Sequence, residues 1–275
     1  MATTKSLGQK DTLDKFYTQK NIALDCINFI DNINLFDCII EPSAGDGSFS
    51  KQIPNCLAYD IQPEGDNIQQ ADWLLLDKEQ FKKYNNILVI GNPPFGQQNT
   101  LAVKFFNESS KIANVIAFIL PLSFKKHSIQ NRLNLNFHLI KEKILDKKSF
   151  TLDGKDYSVP CIFQVWEKKD IKRKPYQNKT TTELFDFVDK NNADFRIQRV
   201  GGNAGKASFD LNFSIQSNYF IKNKTCYSNE KLINIINQTI FPELEYTVGP
   251  KSLSKTELIL TLEEKINNIK EKGEL

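Results

Sequence analysis

The sequence predicts a doubly wound α/β sheet over residues 1–168, followed by a smaller α+β extension over 169–275. Three observations carry this. Four near-continuous apolar runs of strand length lie at 37–41, 56–60, 87–91 and 115–120. Strands covered by helices on both faces read as such unbroken runs. Amphipathic stretches at helical spacing alternate with them, which is the pattern of a parallel sheet with crossover helices. Third, the pattern changes after a basic segment at 168–179 that is nearly free of apolar residues.

Taken in order, residues 21–33 place Ile22, Cys26, Phe29, Ile30 and Ile33 at helical spacing. The first strand, 37–41, runs into a glycine turn, and a helix is expected at 48–53. Further helices are expected at 99–112 and 123–136. Residues 138–145 and 158–167 have no helix between them and read as a closing antiparallel hairpin across Asp153 and Gly154. In the extension, a helix is expected at 181–190, strands at 195–200 and 218–221, and amphipathic helices at 231–240 and 254–270. No internal repeat is visible.

The chain has 275 residues, 40% of them hydrophobic and 25% charged, which excludes disorder, collagen and coiled-coil classes. A net charge of +3 permits a nucleic-acid partner without requiring one. Five cysteines, an odd number with no C-x-x-C, read as buried free thiols of a reducing compartment. With only two histidines, a zinc site is not expected. Residues 1–10 are polar and lack the apolar core of a signal peptide. No apolar run is long enough to span a bilayer. An intracellular protein, cytoplasmic or nuclear, is therefore expected, and nothing in the residues sets an oligomeric state.

Glu41, Pro42, Ser43, Ala44, Gly45, Asp46, Gly47 and Ser48 follow the first strand. Glycines there let backbone approach a ligand closely. The third glycine of a dinucleotide fingerprint is missing, and so is the Gly-Lys-Ser/Thr of a phosphate loop. Asp60 ends the second strand, where such folds place an acid on a ribose diol. Asp72, before Trp73, could accept from an adenine amino group. A ribose, an adenine and no phosphate describe S-adenosylmethionine. Either aspartate taken singly fits an ordinary strand-end or turn carboxylate equally well.

Asn92, Pro93, Pro94 and Phe95 follow the third apolar run. Tandem prolines end a strand and stiffen the backbone. The Asn92 amide oxygen and the Pro93 carbonyl could accept both protons of an exocyclic amine, with Phe95 stacked on its ring.

The order of Lys15, Phe16, Tyr17, Thr18 and Gln19, then EPSAGDGSF at 41–49, then GNPPF at 91–95, resembles the amino-methyltransferases that modify N6 of adenine in DNA. The resemblance spans roughly residues 15–167. It implies a class I methyltransferase fold with a seven-stranded, mostly parallel sheet. It also implies S-adenosylmethionine as cofactor, held by Tyr17, Thr18, Glu41, Pro42, Ser43, Gly45, Gly47, Asp60, Ile61, Asp72, Trp73 and Asn92. Catalysis falls to Asn92, Pro93, Pro94 and Phe95. Phe150 matches a second base-stacking aromatic. The family's N-terminal motif is usually Tyr-Thr-Pro, and here Gln19 replaces the proline. After Trp166 no known recognition domain is apparent, so Arg196, Arg199 and Lys206, around the glycine loop 201–206, are the candidates for substrate phosphates beside Phe95 and Phe150. A solvated loop is an equal reading there.

Three alternatives stand beside DNA adenine methylation. These are methylation of adenine in RNA, methylation of a protein glutamine, and a non-catalytic nucleic-acid-binding subunit that keeps the fold. Cys161 in SVPCIFQVW reads as a core thiol, not a nucleophile, and His127 and His138 have no evident carboxylate partner.

Overall fold

In the computed structural model, residues 17–146, 148–152, 155–157, 159–247 and 249–271 are described. Lys15, Phe16, the 1–10 segment, Asp153, Gly154 and Ser158 lie outside the described residues. The chain divides into two compact units. One holds the residues up to Phe124 with Ile129–Pro175, the other Lys125–Ser128 with Tyr176–Leu275.

The first unit is built on a seven-stranded sheet. Its strands are β2 (Cys38–Glu41), β3 (Leu57–Asp60), β4 (Ile68–Gln70), β5 (Ile87–Gly91), β6 (Val115–Pro121), β7 (Phe137–Ile144) and β10 (Cys161–Lys168), in the order β4-β3-β2-β5-β6-β10-β7. β10 lies antiparallel between β6 and β7, and the pairs from β4 across to β6 are parallel. This order, with one late strand inserted antiparallel, is the class I methyltransferase sheet. A short second sheet joins β1 (Tyr17–Thr18), β8 (Phe150–Leu152) and β9 (Lys155–Tyr157).

Burial on both faces explains the unbroken apolar runs. Along β5, Ile87 and Val89 enter one core while Leu88 and Ile90 enter the other. The first core is closed by α2 (Thr100–Ser109) through Ala102, Val103 and Phe106. The second is closed by α1 (Lys20–Asn28) through Ala23, Cys26 and Ile27. Cys161 belongs to this second core, as expected of a structural thiol.

Two helices are shorter than the spacing predicts. That at 48–53 is a single 3-10 turn, Ser50–Gln52. Pro54 disfavours helical backbone at Ile53, which is extended. That at 123–136 is reduced to a 3-10 turn, Leu122–Lys125, and the one-turn α3 (His127–Gln130). The Asn134 side chain accepts from the Asn136 amide at 3.0 Å, a local turn that competes with helix. The expected hairpin partners do pair, β7 with β10. β8 and β9 lie between them in sequence and were not foreseen, and neither was β4.

The second unit is a four-stranded antiparallel sheet of β11 (Phe185–Phe187), β12 (Phe195–Gln198), β13 (Ala207–Ser208) and β14 (Asn218–Asn223), in the order β11-β14-β12-β13. α4 (Asn229–Gln238) and α5 (Lys255–Glu271) bury Leu232, Ile236, Leu258 and Leu262 against its Phe185, Phe195, Ile197 and Ile221. The helix expected at 181–190 is instead β11. Phe185 points inward, Asp186 faces solvent, and pairing with β14 overrides the helical spacing. The cysteines are free, but Cys226 is exposed, contrary to the expectation of uniformly buried thiols.

Candidate functional site

The carboxyl ends of β2, β3 and β5 meet at a cavity of about 270 Å³. Ligands of open α/β sheets bind at this edge. The turn after β2 is held by its own backbone and by two acids. The Gly47 amide donates to Ala44 O at 2.7 Å, and the Ala44 amide to Tyr59 O at 2.9 Å. Asp60 accepts the Gly45 amide at 2.8 Å on one oxygen and the Gln62 amide at 2.8 Å on the other. Gly45 has φ +54°, and a Cβ there would lie 3.3 Å from the Tyr17 ring. Glycine is required both for the backbone and for the close approach of Tyr17.

Glu41 is buried beneath the turn and accepts the Ser50 amide at 2.8 Å. Burial pushes its carboxyl up to about 8, and the hydrogen bonds from Ser50 and Phe49 only partly oppose this. Tyr17 enters from β1, which pairs with β8 so that Tyr17 faces Thr151 and Thr18 faces Phe150 in the register. Its hydroxyl donates to Glu64 at 2.6 Å. Burial and that carboxylate both raise the phenol above its ordinary range. The Thr18 carbonyl lies 2.7 Å from Ser48 Oγ, which ties β1 to the turn.

Asp72 accepts the Leu74 amide at 2.9 Å and orders the loop after β4. Trp73 is 1% exposed, and its indole N–H donates to Ser109 at 3.2 Å. It forms a wall of the cavity and a core residue at once. Ile61, 52% exposed, sits at the rim. Asn92 follows β5 into the same cavity, with its Oδ1 buried and its backbone carbonyl accepting from Ser43 Oγ at 3.2 Å.

Of the residues expected at a cofactor, Tyr17, Thr18, Glu41, Pro42, Ser43, Gly45, Asp60, Ile61, Asp72, Trp73 and Asn92 line this one cavity. Gly47 shapes the turn without lining it. Pro94 lines the cavity. Pro93 is buried outside it, and Phe95 is half-buried against both cores. The sequence reading did not single out Glu64 and Gln62, which the turn after β3 brings in, nor Phe49, Leu101 and Phe105. Among the described lining residues five are acids, Glu41, Asp46, Asp60, Glu64 and Asp72, and none is Lys or Arg. Such a wall repels phosphate and suits a cationic ligand.

Two substrate assignments, Phe150 and Arg196, are corrected by burial and internal bonding. Phe150 is 0% exposed and packs in the second core, so its ring has no face for a base. Arg196 is 7% exposed. Its guanidinium donates to Asp210 O at 2.7 Å and Asn218 Oδ1 at 2.9 Å and lies 3.6 Å over the Phe213 ring. It braces the second unit's sheet and is closed to phosphate. Lys206 donates to the Asn237 carbonyl at 2.7 Å and anchors the glycine loop to α4. Arg173 of the basic segment is likewise held, by the carbonyls of Phe137 at 3.1 Å and Leu133 at 3.2 Å. Arg199 is half-buried and less fully bonded, as described below. Among the described residues no cluster of metal-ligating side chains occurs, and no helix is long and apolar enough to cross a membrane.

No family model and no curated protein matches the chain. Solved structures are similar to it in fold. A Pyrococcus horikoshii protein provisionally described as an RNA methyltransferase aligns over 59% of this chain and 90% of its own, at 15% identity and a TM-score of 0.44. A Thermoplasma acidophilum protein aligns over 56% and 89%, at 15% identity and 0.40. The tRNA m1G37 methyltransferase of Methanocaldococcus jannaschii aligns over 58% and 50%, at 16% identity and 0.38. The sheet order and the cavity at its carboxyl edge place the first unit in the class I methyltransferase fold.

Proposed function

We propose that the chain is an S-adenosylmethionine-dependent methyltransferase acting on the N6 amino group of adenine in nucleic acid, with DNA as the polymer. The observation that carries this is the entry of Asn92, from the NPPF turn, into the same acid-lined cavity as Tyr17, Asp60 and Asp72. Four acids, Asp46, Asp60, Glu64 and Asp72, beside the proton-holding Glu41 and with no lining cation among the described residues, suit a sulfonium and an ammonium and disfavour a dinucleotide pyrophosphate.

The residues present fit the cofactor. Asp60 would hold the ribose hydroxyls, Asp72 the adenine amine, Ile61 and Trp73 the adenine faces, and Tyr17 with the glycine turn the methionine end. When bound, S-adenosylmethionine supplies an electrophilic methyl group on its sulfonium. Asn92 Oδ1 and the Pro93 carbonyl would accept the two N–H protons of the target amine. This draws the nitrogen lone pair out of conjugation and orients it, so that positioning does much of the catalysis. The partly exposed Phe95 ring would stack on an extruded base, worth ~1–3 kcal/mol against an unstacking cost of a few kcal/mol. The resemblance of the two motifs to DNA adenine methyltransferases supports the choice of polymer.

The test is methyl transfer from labelled S-adenosylmethionine to duplex DNA, single-stranded DNA and RNA, with digestion to nucleosides. N6-methyldeoxyadenosine is the expected product. Label on RNA alone would move the reading to the other polymer, and label on protein glutamine would overturn it.

A further inference from the structure

We propose that the second unit carries its own phosphate-binding groove, in which Arg199, Lys190 and Lys255 hold the backbone of a nucleic-acid strand. The groove has a volume of about 540 Å³ and lies beside β11 and β14. Its cations are arranged by an aromatic pair. The Phe187 and Tyr219 rings meet edge to face at 5.2 Å between centroids. The Arg199 guanidinium lies 5.4 Å over Tyr219, and the Lys255 ammonium 4.2 Å over Phe187. Tyr219 is itself fixed by donating to the Leu253 carbonyl at 3.0 Å. The two cations therefore stand on a braced platform, and little ordering remains to be done on binding.

The bonding of the cations leaves donors that can serve an anion. The Arg199 side chain bonds to the Tyr219 side chain and, from one terminal nitrogen, makes a long bond of 3.3 Å to the Gln216 carbonyl, while its Nε is buried, so a phosphate would meet the terminal nitrogens. A guanidinium offers five donors in a fork that matches phosphate oxygens. Lys190 makes only a 3.5 Å contact to Asn212. Four other lysines of this unit are ion-paired, Lys179 with Glu263, Lys222 with Asp194, Lys224 with Asp186 and Lys251 with Glu245. None of the three groove cations has an ion-pair partner among the described residues. Asp189 is the one acid among the described lining residues, leaving the groove with a net positive charge. Three cations lining a groove of this size suit successive phosphates of a strand better than one small anion.

The inference rests on the nucleic-acid reading of the protein, but its test does not need methyl transfer. Binding of a fluorescent single-stranded DNA oligonucleotide is followed by anisotropy over a salt series, without cofactor. For single strands log K falls by about 0.7 per phosphate contact for each tenfold rise in salt. The variant Lys190→Gln, Arg199→Gln, Lys255→Gln should bind at least ~10-fold more weakly at low salt, with a slope shallower by about two units. Lys190→Gln with Lys255→Gln alone, which leaves the Arg199 contacts in place, should lose about 1.4 units and guards against misfolding. Lys222→Gln, whose lysine is ion-paired, should bind as the parent does. Unchanged slopes in both groove variants would overturn the proposal. So would loss of inorganic pyrophosphate binding in the variants while the oligonucleotide still binds, because the groove would then take a small anion. Intact, salt-dependent binding without methyl transfer would instead count against the catalytic reading alone.

Discussion

The Asp60 carboxylate reaches back 15 residues to accept the Gly45 amide at 2.8 Å, so one acid shapes the glycine turn and faces the cavity that the turn encloses. The acid expected at a ribose is thus also a brace of the loop. Asp60→Asn should weaken S-adenosylmethionine binding by about 1.5–3 kcal/mol, the scale of a charged hydrogen bond. Titration calorimetry reads this directly, and unchanged affinity would confine Asp60 to the loop.

Asn92→Ala should abolish transfer to adenine while cofactor affinity stays within a few fold. The Asn92 backbone carbonyl, which Ser43 holds, is untouched by the change. Equilibrium cofactor binding together with single-turnover transfer separates the two effects. A folded variant that has lost the cofactor would move Asn92 from the amine to the cofactor.

Gly45→Ala should destabilise the fold by about 1–2 kcal/mol, the cost of left-handed backbone for a residue with a Cβ. The added methyl also meets the Tyr17 ring at 3.3 Å and should push Tyr17 off the cavity. Thermal melts with and without cofactor should show a loss in both and a smaller ligand-induced rise. An equal rise would mean that the ring shifts without consequence for the ligand.

The Glu41 carboxyl is raised to about 8 by burial, so the folded chain holds a proton that the unfolded chain releases near its ordinary value. The contribution of this group is complete at acid pH and is lost as pH rises towards 8. Glu41→Gln keeps an oxygen for the Ser50 amide and removes the titration. Denaturant midpoints from pH 5 to pH 9 should fall less steeply in the variant. Parallel curves would place the Glu41 proton elsewhere.

Phe150→Ala should act as a core deletion, costing about 3–5 kcal/mol in denaturant unfolding. At a temperature where the variant is folded, KM for nucleic acid should be close to that of the parent. A raised KM with little loss of stability would restore the stacking role that its full burial denies it.

The parallel half of the sheet and most of the cavity wall were legible because strands buried on both faces leave unbroken apolar runs, and because turns such as 41–48 demand glycine. β4 left no such trace, since Ile68–Gln70 is a largely exposed edge with one apolar residue. Spacing misread 181–190, where pairing with β14 decided the conformation. Charge misled at Arg196, because a sequence shows that a cation exists and not which groups surround it. Glu64 could not have been chosen over neighbouring acids without the turn that carries it to the Tyr17 hydroxyl.

The pairing of β1 with β8 also has a bearing on when the cavity comes into being. During synthesis the amino-terminal part of a chain emerges first. Here the Tyr17 wall is registered against Phe150 and Thr151, more than a hundred residues later. A nascent chain carrying the glycine turn, Asp60 and Asn92 would thus hold nearly every cavity group and still lack one side of the pocket. Closing so long a loop is slow as well as late, so ligand capture should mark the end of this unit's assembly and not its beginning.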